Sequence, residues 1–347
     1  MSEKIFYNDT LNLSNYNLSY DFFYNNVGID VQECYPSRCC FYIIDKNKNN
    51  YIFIKILYRD LSKYLIIFDI LEYLKKNNAN ILEMYSIDGK KYFFDDVNEQ
   101  YYIIFKLVNG IYKKWIDFDF NSVIYRLKDF YQSSSDILNN LSNFNLKEDI
   151  EILTIGNELK LINRYFLNIE NMEKIIFYKQ SKSLIDDFFD KNKEYMKNEL
   201  FEVREFFLSK EYKIYCEDYK NIRFINGNLS NKSFLFNEKD CFIVNFYDSS
   251  IDLFAKDIAI LIGNGMFHAS NEELSLFAKN LLKIFNYNDS FHLEVISNYL
   301  KIYNYIFKWF NEYYIQGESC KNIIIEDKFK EIDFYKQKQY SLIKEHL

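Results

Sequence analysis

Cys39–Asp45 is an apolar, β-prone run, Lys46–Asn50 is polar, and Tyr51–Tyr58 alternates between apolar and less apolar positions. Two strands joined by a short polar turn are the expected reading of that order. From Asp60 to Asn77 the period lengthens, and Leu61, Leu65, Phe68, Leu71 and Leu74 fall on one helical stripe. Strands resume at Ile81–Ile87, closed by Asp88-Gly89, and at Tyr101–Val108. After Gly110 the spacing predicts helices over Asp119–Asn140, Glu170–Lys179 and Ser183–Tyr215. Short strands follow at Ile222–Ile225, Phe234–Phe236 and Cys241–Phe246, and the chain is helical again from Leu253. The pattern predicts an α+β protein with a polar, loosely held lead-in at 1–26 and a small antiparallel sheet with one helix at 27–109. A larger helical lobe spans 110–347 and carries a short β insertion at 222–247.

Composition narrows the function classes. The 347 residues are 49% hydrophobic and 27% charged, the profile of a folded chain rather than a disordered one. Aromatics make up 20%, with 32 Tyr and 34 Phe against 8 Gly and 1 Pro. That bias follows the residues of A+T-rich codons; the functional alternative is a tyrosine-rich chain suited to oxidative cross-linking. A net charge of −7, with no block of Lys and Arg unmixed with acids, argues against a nucleic-acid footprint. The longest apolar runs are far short of the ~20 residues that span a bilayer. Met1-Ser2-Glu3-Lys4 is followed by no apolar signal core, so a cytosolic protein without a membrane span is expected.

The six cysteines (34, 39, 40, 216, 241, 320) contain no C-x-x-C pair and read as buried thiols. His268, His292 and His346 are scattered without metal-ligand spacing, and neither metal nor cofactor is expected. Trp115 and Trp309 read as packing residues. Acyl transfer has no support, because no G-x-S-x-G or Ser-His-Asp pattern occurs.

Phe224–Phe236 reads F-I-N-G-N-L-S-N-K-S-F-L-F, and Phe242–Leu253 reads F-I-V-N-F-Y-D-S-S-I-D-L. These segments resemble the catalytic loop and metal segment of the aminoglycoside-phosphotransferase-like kinases, and most of all the CotS-type spore coat proteins. The resemblance is collinear from about residue 27 and implies a bilobal, protein-kinase-like fold. It places Asn226 where the family has His, keeps Gly227, and puts Asn228 at the proton-accepting Asp. Ser233 falls at the metal-binding Asn and Asn245 at the metal-binding Asp, while Asp252-Leu253 and Asp257-Ile258 keep the family's spacing. Lys55 takes the place of the phosphate-contacting lysine, with Asp69, or else Glu72, as its acidic partner. Leu127–Ser134 resembles the family's helix ending in Leu-His-x-x-Ser, with Tyr131 in place of the His.

Phosphoryl transfer needs metal ions on the phosphates, an aligned nucleophile and a group to take its proton. Asn228 can accept no proton, and general-base catalysis contributes roughly 10²–10⁴-fold. Asn245 and Ser233 offer Mg²⁺ neutral oxygens where carboxylates are the rule. The phosphate-covering stretch Tyr35–Cys40 has no glycine, Pro36 removes a backbone donor, and Arg38 reads as a surface residue. Lys55 can equally be a structural ion-pair residue. Asp248 and Asp252 are either displaced metal ligands or turn residues that orient backbone N–H groups.

The expected function is that of a non-catalytic, pseudokinase-like structural or interaction protein. By the CotS resemblance it would be made in the mother-cell cytoplasm during sporulation and assembled with other spore coat proteins. The alternatives are a nucleotide-binding switch independent of Mg²⁺, using Lys55 and Lys106–Asn109, and a divergent small-molecule phosphotransferase using Asp248.

Overall fold

A computed structural model describes residues 18–37, 40–143, 152–238, 240–266, 270–284, 290–302, 305–315 and 332–346. Arg38, Cys39, His268 and Cys320 lie outside the described residues. The chain forms two compact units. Unit 1 takes the residues up to Ile152 together with Lys232–Ser249, and unit 2 takes Leu153–Asn231 with the residues from Ser250 on. The expected lobe border at Asn109-Gly110 therefore falls inside unit 1.

Unit 1 is built on strands β1 (Val31–Ser37), β2 (Cys40–Asp45), β3 (Asn50–Ile56), β4 (Glu83–Met84), β5 (Phe93–Asp95) and β6 (Gln100–Leu107). They form one antiparallel sheet in the order β1-β2-β3-β6-β4, with β5 also on β6. Helix α1 (Leu61–Lys76) follows β3, as its stripe predicted. Leu61, Phe68, Leu71 and Leu74 are buried, while Ile66, Ile67 and Ile70 widen the apolar face.

Register sorts the side chains. Phe53 opposes Ile104 and Ile54 opposes Ile103, so alternate residues face opposite sides of the sheet. Tyr51, Phe53, Tyr102 and Ile104 build a core on one side with Leu18, Phe22, Phe23 and Val27. Phe23 meets Phe53 edge-on at 4.9 Å between centroids. On the other side Phe105 meets Phe68 of α1 at 5.6 Å. Burying each of these rings contributes about 1.5–3 kcal/mol. Part of the expected loose lead-in is thus structural: Leu18, Phe22 and Phe23 are core residues despite the polar residues around them.

The expected strand Ile81–Ile87 shortens to Glu83–Met84. The segment divides its pairing between two partners, Ile81 with Ile243 and Met84 with Phe105, so no continuous ladder forms. Unit 1 also contains α2 (Phe120–Ser133), capped by Asp119, which accepts the Ser122 N–H. A second small sheet orders β10 (Cys241–Ile243), β9 (Phe234–Phe236) and β7 (Ile111–Tyr112). Gly110 enters β7 so close to Phe236 that an added Cβ would lie 2.7 Å from its carbonyl oxygen. The strand expected to reach Phe246 stops at Ile243, and two residues on Asn245 adopts a left-handed φ of 65°.

Unit 2 is mostly helical: α3 (Glu158–Phe177), α4 (Leu184–Leu208), α5 (Lys210–Glu217), α6 (Phe254–Gly265), α7 (Asn271–Ile284), α8 (Ser290–Ile302) and α9 (Tyr305–Tyr314), with a last helix at Ile332–His346. The single helix expected over Ser183–Tyr215 is two helices. Ser209 is extended at ψ 154° and caps α5 by accepting the Tyr212 N–H. Ser183 and Asp186 close a reciprocal capping box at the start of α4. Strands β8 (Ile222–Ile225) and β11 (Ser250–Leu253) pair antiparallel within this unit. No described helix is long and apolar enough to cross a membrane.

Candidate functional site

Strand alternation decides where Lys55 points. It shares a face with Tyr51 and Phe53, opposite Tyr102, and so lies on the side of the sheet away from Ile52, Ile54 and α1. The side chain is exposed, with its ammonium 5.1 Å from the Phe41 ring centroid. Asp69 of α1 binds Lys91 at 2.5 Å, and Glu72 binds the same ammonium at 3.2 Å. The expected Lys55–Asp69 pair is therefore replaced by a Lys91 cluster, because α1 packs on the face that Lys55 does not share. Burial alone would lower the Lys91 pKa; the bonds to Asp69 and Glu72 outweigh it and raise the value. Lys91→Ala is expected to cost about 1 kcal/mol, and Lys55→Ala to stay within about 0.5 kcal/mol. Urea unfolding midpoints at low salt read both.

The face that α1 covers is closed by apolar side chains. Ile52, Ile54, Phe68, Phe105, Tyr112 and Phe246 surround a cavity volume of about 10 Å³. That is room for about one water, where ligand clefts run to roughly 300–1,000 Å³. This cavity is too small for a nucleotide. The strand positions in phase with the cavity are Ile52 and Ile54, which bring no charge to it.

The metal-segment residues of unit 1 sit beside that cavity. The Val244 N–H donates to the Ser233 carbonyl at 2.9 Å, and the Asn245 amide donates to the Lys232 carbonyl at 2.7 Å. Ser233 is buried and Asp248 is exposed. Neither Asn245 nor Ser233 brings negative charge, so these residues fit Mg²⁺ poorly. Among the described residues no group of three His, Cys, Asp or Glu could hold a metal.

In unit 2, β8 delivers the Asn226-Gly227-Asn228 loop. Asp257 of α6 is completely buried and accepts the backbone N–H groups of Asn226 at 2.7 Å and Gly227 at 2.8 Å. Gly227 turns the chain with a φ of 81°, a conformation that favours glycine. Asn228 emerges exposed. Asp257 thus positions the loop backbone.

Asp252 is also completely buried, and it binds Lys256 at 2.7 Å, the Thr154 hydroxyl at 2.5 Å and the Leu253 N–H at 2.8 Å. Asp252 does orient a backbone N–H, but from within strand β11 and not from a turn. Tyr131, Trp115 and Trp309 are buried, and Trp115 packs on Phe118 at 4.8 Å.

Sequence reading missed Lys91, although the alternation that sends Lys55 outward is visible in Ile52-Phe53-Ile54-Lys55. It also missed Tyr112 and Phe246 as cavity walls, which only tertiary pairing brings together.

No protein-family profile matches the chain, and no curated protein matches it significantly in sequence. Solved structures do. An aminoglycoside phosphotransferase from Alicyclobacillus acidocaldarius superposes with a TM-score of 0.70 at 11% identity, covering 96% of this chain and 97% of the other. A spectinomycin phosphotransferase solved with ADP and spectinomycin gives 0.62 at 11% identity, over 93% and 96%. A choline kinase from Cryptosporidium parvum gives 0.54 at 13% identity, over 95% and 92%. At such identities the likeness speaks for the fold, and the chain has the α+β, protein-kinase-like fold of the aminoglycoside phosphotransferases.

Proposed function

We propose that this chain is a non-catalytic member of the kinase-like fold, kept for the surfaces it presents and not for phosphoryl transfer. The observation that carries this reading is the apolar closure of the α1-side sheet face, with Lys55 on the opposite side. Neutral side chains at Asn228, Ser233 and Asn245 support it, since phosphoryl transfer depends on fixed charge at the metal and nucleophile positions. The resemblance of the Phe224–Leu253 region to CotS-type proteins supplies the setting: a sporulation product made in the mother cell and built into the spore coat with other coat proteins. The fold itself does not dictate that role.

Two measurements test the reading. Purified protein with labelled ATP and a panel of amino- and hydroxyl-bearing small molecules should transfer no phosphate. Antibody against the chain should find it in purified spores, in the fraction resistant to extraction. Transfer that Asn228→Ala abolishes would return the protein to the phosphotransferases, and confinement to the cytosol of growing cells would remove the coat role.

A further inference from the structure

The chain contains three Asn-Gly dipeptides, at 109–110, 226–227 and 264–265. An asparagine before glycine is prone to cyclise. The backbone nitrogen of the glycine attacks the asparagine Cγ, an N–C bond forms, and the Cγ–Nδ2 bond breaks. The proton lost by the backbone nitrogen leaves with the amide as ammonia. Water then opens the succinimide to aspartate or isoaspartate. Glycine favours the step because, without a Cβ, its backbone can rotate to bring the nitrogen onto the side chain. A free backbone N–H and a water-exposed asparagine are therefore required.

The structure separates the three. Asn226 is completely buried, and the Gly227 N–H that would attack is donated to Asp257 at 2.8 Å. Asn264-Gly265 lies in α6, where helix geometry directs the Gly265 N–H along the chain axis to an earlier carbonyl. The Asn264 amide is also held by the Leu229 carbonyl.

Asn109 and Gly110 are both exposed, in a bend between β6 and β7. Among the described residues the Gly110 N–H is donated to no backbone carbonyl. The Asn50 amide donates to the Asn109 Oδ1, which polarises the carbonyl that is attacked. Asn109 opens on a cleft of about 380 Å³ that also holds Asn50, Lys48 and Lys106. Lys106 is shared with Glu83 at 3.3 Å.

We propose that Asn109 is a site of spontaneous deamidation in the folded protein, with Asn50 as the residue that positions and polarises its side chain. The product places a carboxylate in a cleft whose lining includes two lysines and no acid, and the isoaspartyl form lengthens the backbone at the bend. A protein that persists in an assembly would accumulate this change with age.

The test is peptide mass mapping, with isoaspartate detection, of the folded full chain held at mildly alkaline pH, against the same chain in guanidinium. Folded protein is expected to convert at Asn109 and to keep Asn226 and Asn264 as amides, while the denatured chain converts all three. Asn50→Ala should slow the Asn109 conversion in the folded protein and leave the denatured rate unchanged. Retention of the Asn109 amide in folded protein, or conversion of Asn226 or Asn264 at the same pace, would overturn the proposal. An unchanged folded rate in Asn50→Ala would overturn the role given to Asn50.

Discussion

Asp186→Ala should lower the stability of the protein by about 3 kcal/mol at neutral pH, since it removes a fully buried carboxylate and leaves the Ser183 N–H and the Tyr314 hydroxyl without their acceptor. The Asp186 side chain is fully buried and receives Lys179 at 2.6 Å, the Tyr314 hydroxyl at 2.6 Å and the Ser183 N–H at 2.7 Å. One carboxylate thus ties together the segment after α3, the start of α4 and the end of α9. Burial alone would raise its pKa; Lys179, the Ser183 N–H and Tyr314 overcome that and hold it at about 2, below the ordinary 3.8.

A depressed carboxylate pKa gives stability that is fully present above the unfolded value and is lost as pH falls through the folded one. The contribution of Asp186 should therefore disappear between about pH 4 and pH 2. Urea unfolding of wild type and Asp186→Asn across that range reads it. The gap between them should be wide at pH 7 and should close toward pH 2. A gap that stays constant with pH would show that the hub acts through packing and not through charge.

Asp257→Ala is the second large effect. Hydrogen bonds to a charged group contribute about 1.5–3 kcal/mol each, and Asp257 accepts two from the Asn226-Gly227 backbone. Its removal is expected to cost about 3–5 kcal/mol, partly as desolvated N–H groups left without an acceptor. Asp257→Asn, which keeps one acceptor oxygen, should fall between the two. Thermal unfolding gives the total, and hydrogen exchange at the Asn226 and Gly227 amides gives the local share. Protection of those amides unchanged in Asp257→Ala would refute the anchoring role.

Much of the fold was legible because its elements carry strong periodicity. The stripe from Leu61 to Leu74 gave α1 to within a residue at each end. Ile222–Ile225 and Phe234–Phe236 are strands as read, bounded by polar turns. What the pattern hides depends on partners distant in sequence. Phe22 and Phe23 sit among polar residues, and only the β3–β6 face shows them as core. Ser209 breaks a run whose apolar spacing continues through it, because its hydroxyl competes for a backbone N–H.

At the candidate site, resemblance in sequence order put Lys55 and Asp69 together, but residue order does not carry strand phase. A shift of one residue exchanges the faces of a strand, and here it puts Ile54 at the cavity and Lys55 in solvent. The neutral residues at 228, 233 and 245 were plain from sequence alone. The hub at Asp186 was not, since Tyr314 lies far from it in the chain.

The central claim is that the kinase-like fold here no longer takes a nucleotide, and titration of the purified protein with ATP tests it most directly. The melting temperature would be followed up to millimolar ATP, with and without Mg²⁺. A ligand that binds only the folded state stabilises it by about 2.7 kcal/mol at one hundred times its Kd. The account predicts no shift in either condition, because the sheet face is filled and the charged groups are absent or turned away. A rise in melting temperature that requires Mg²⁺ would contradict it, by showing a working metal and phosphate site; a rise without Mg²⁺ would point to a nucleotide-binding switch.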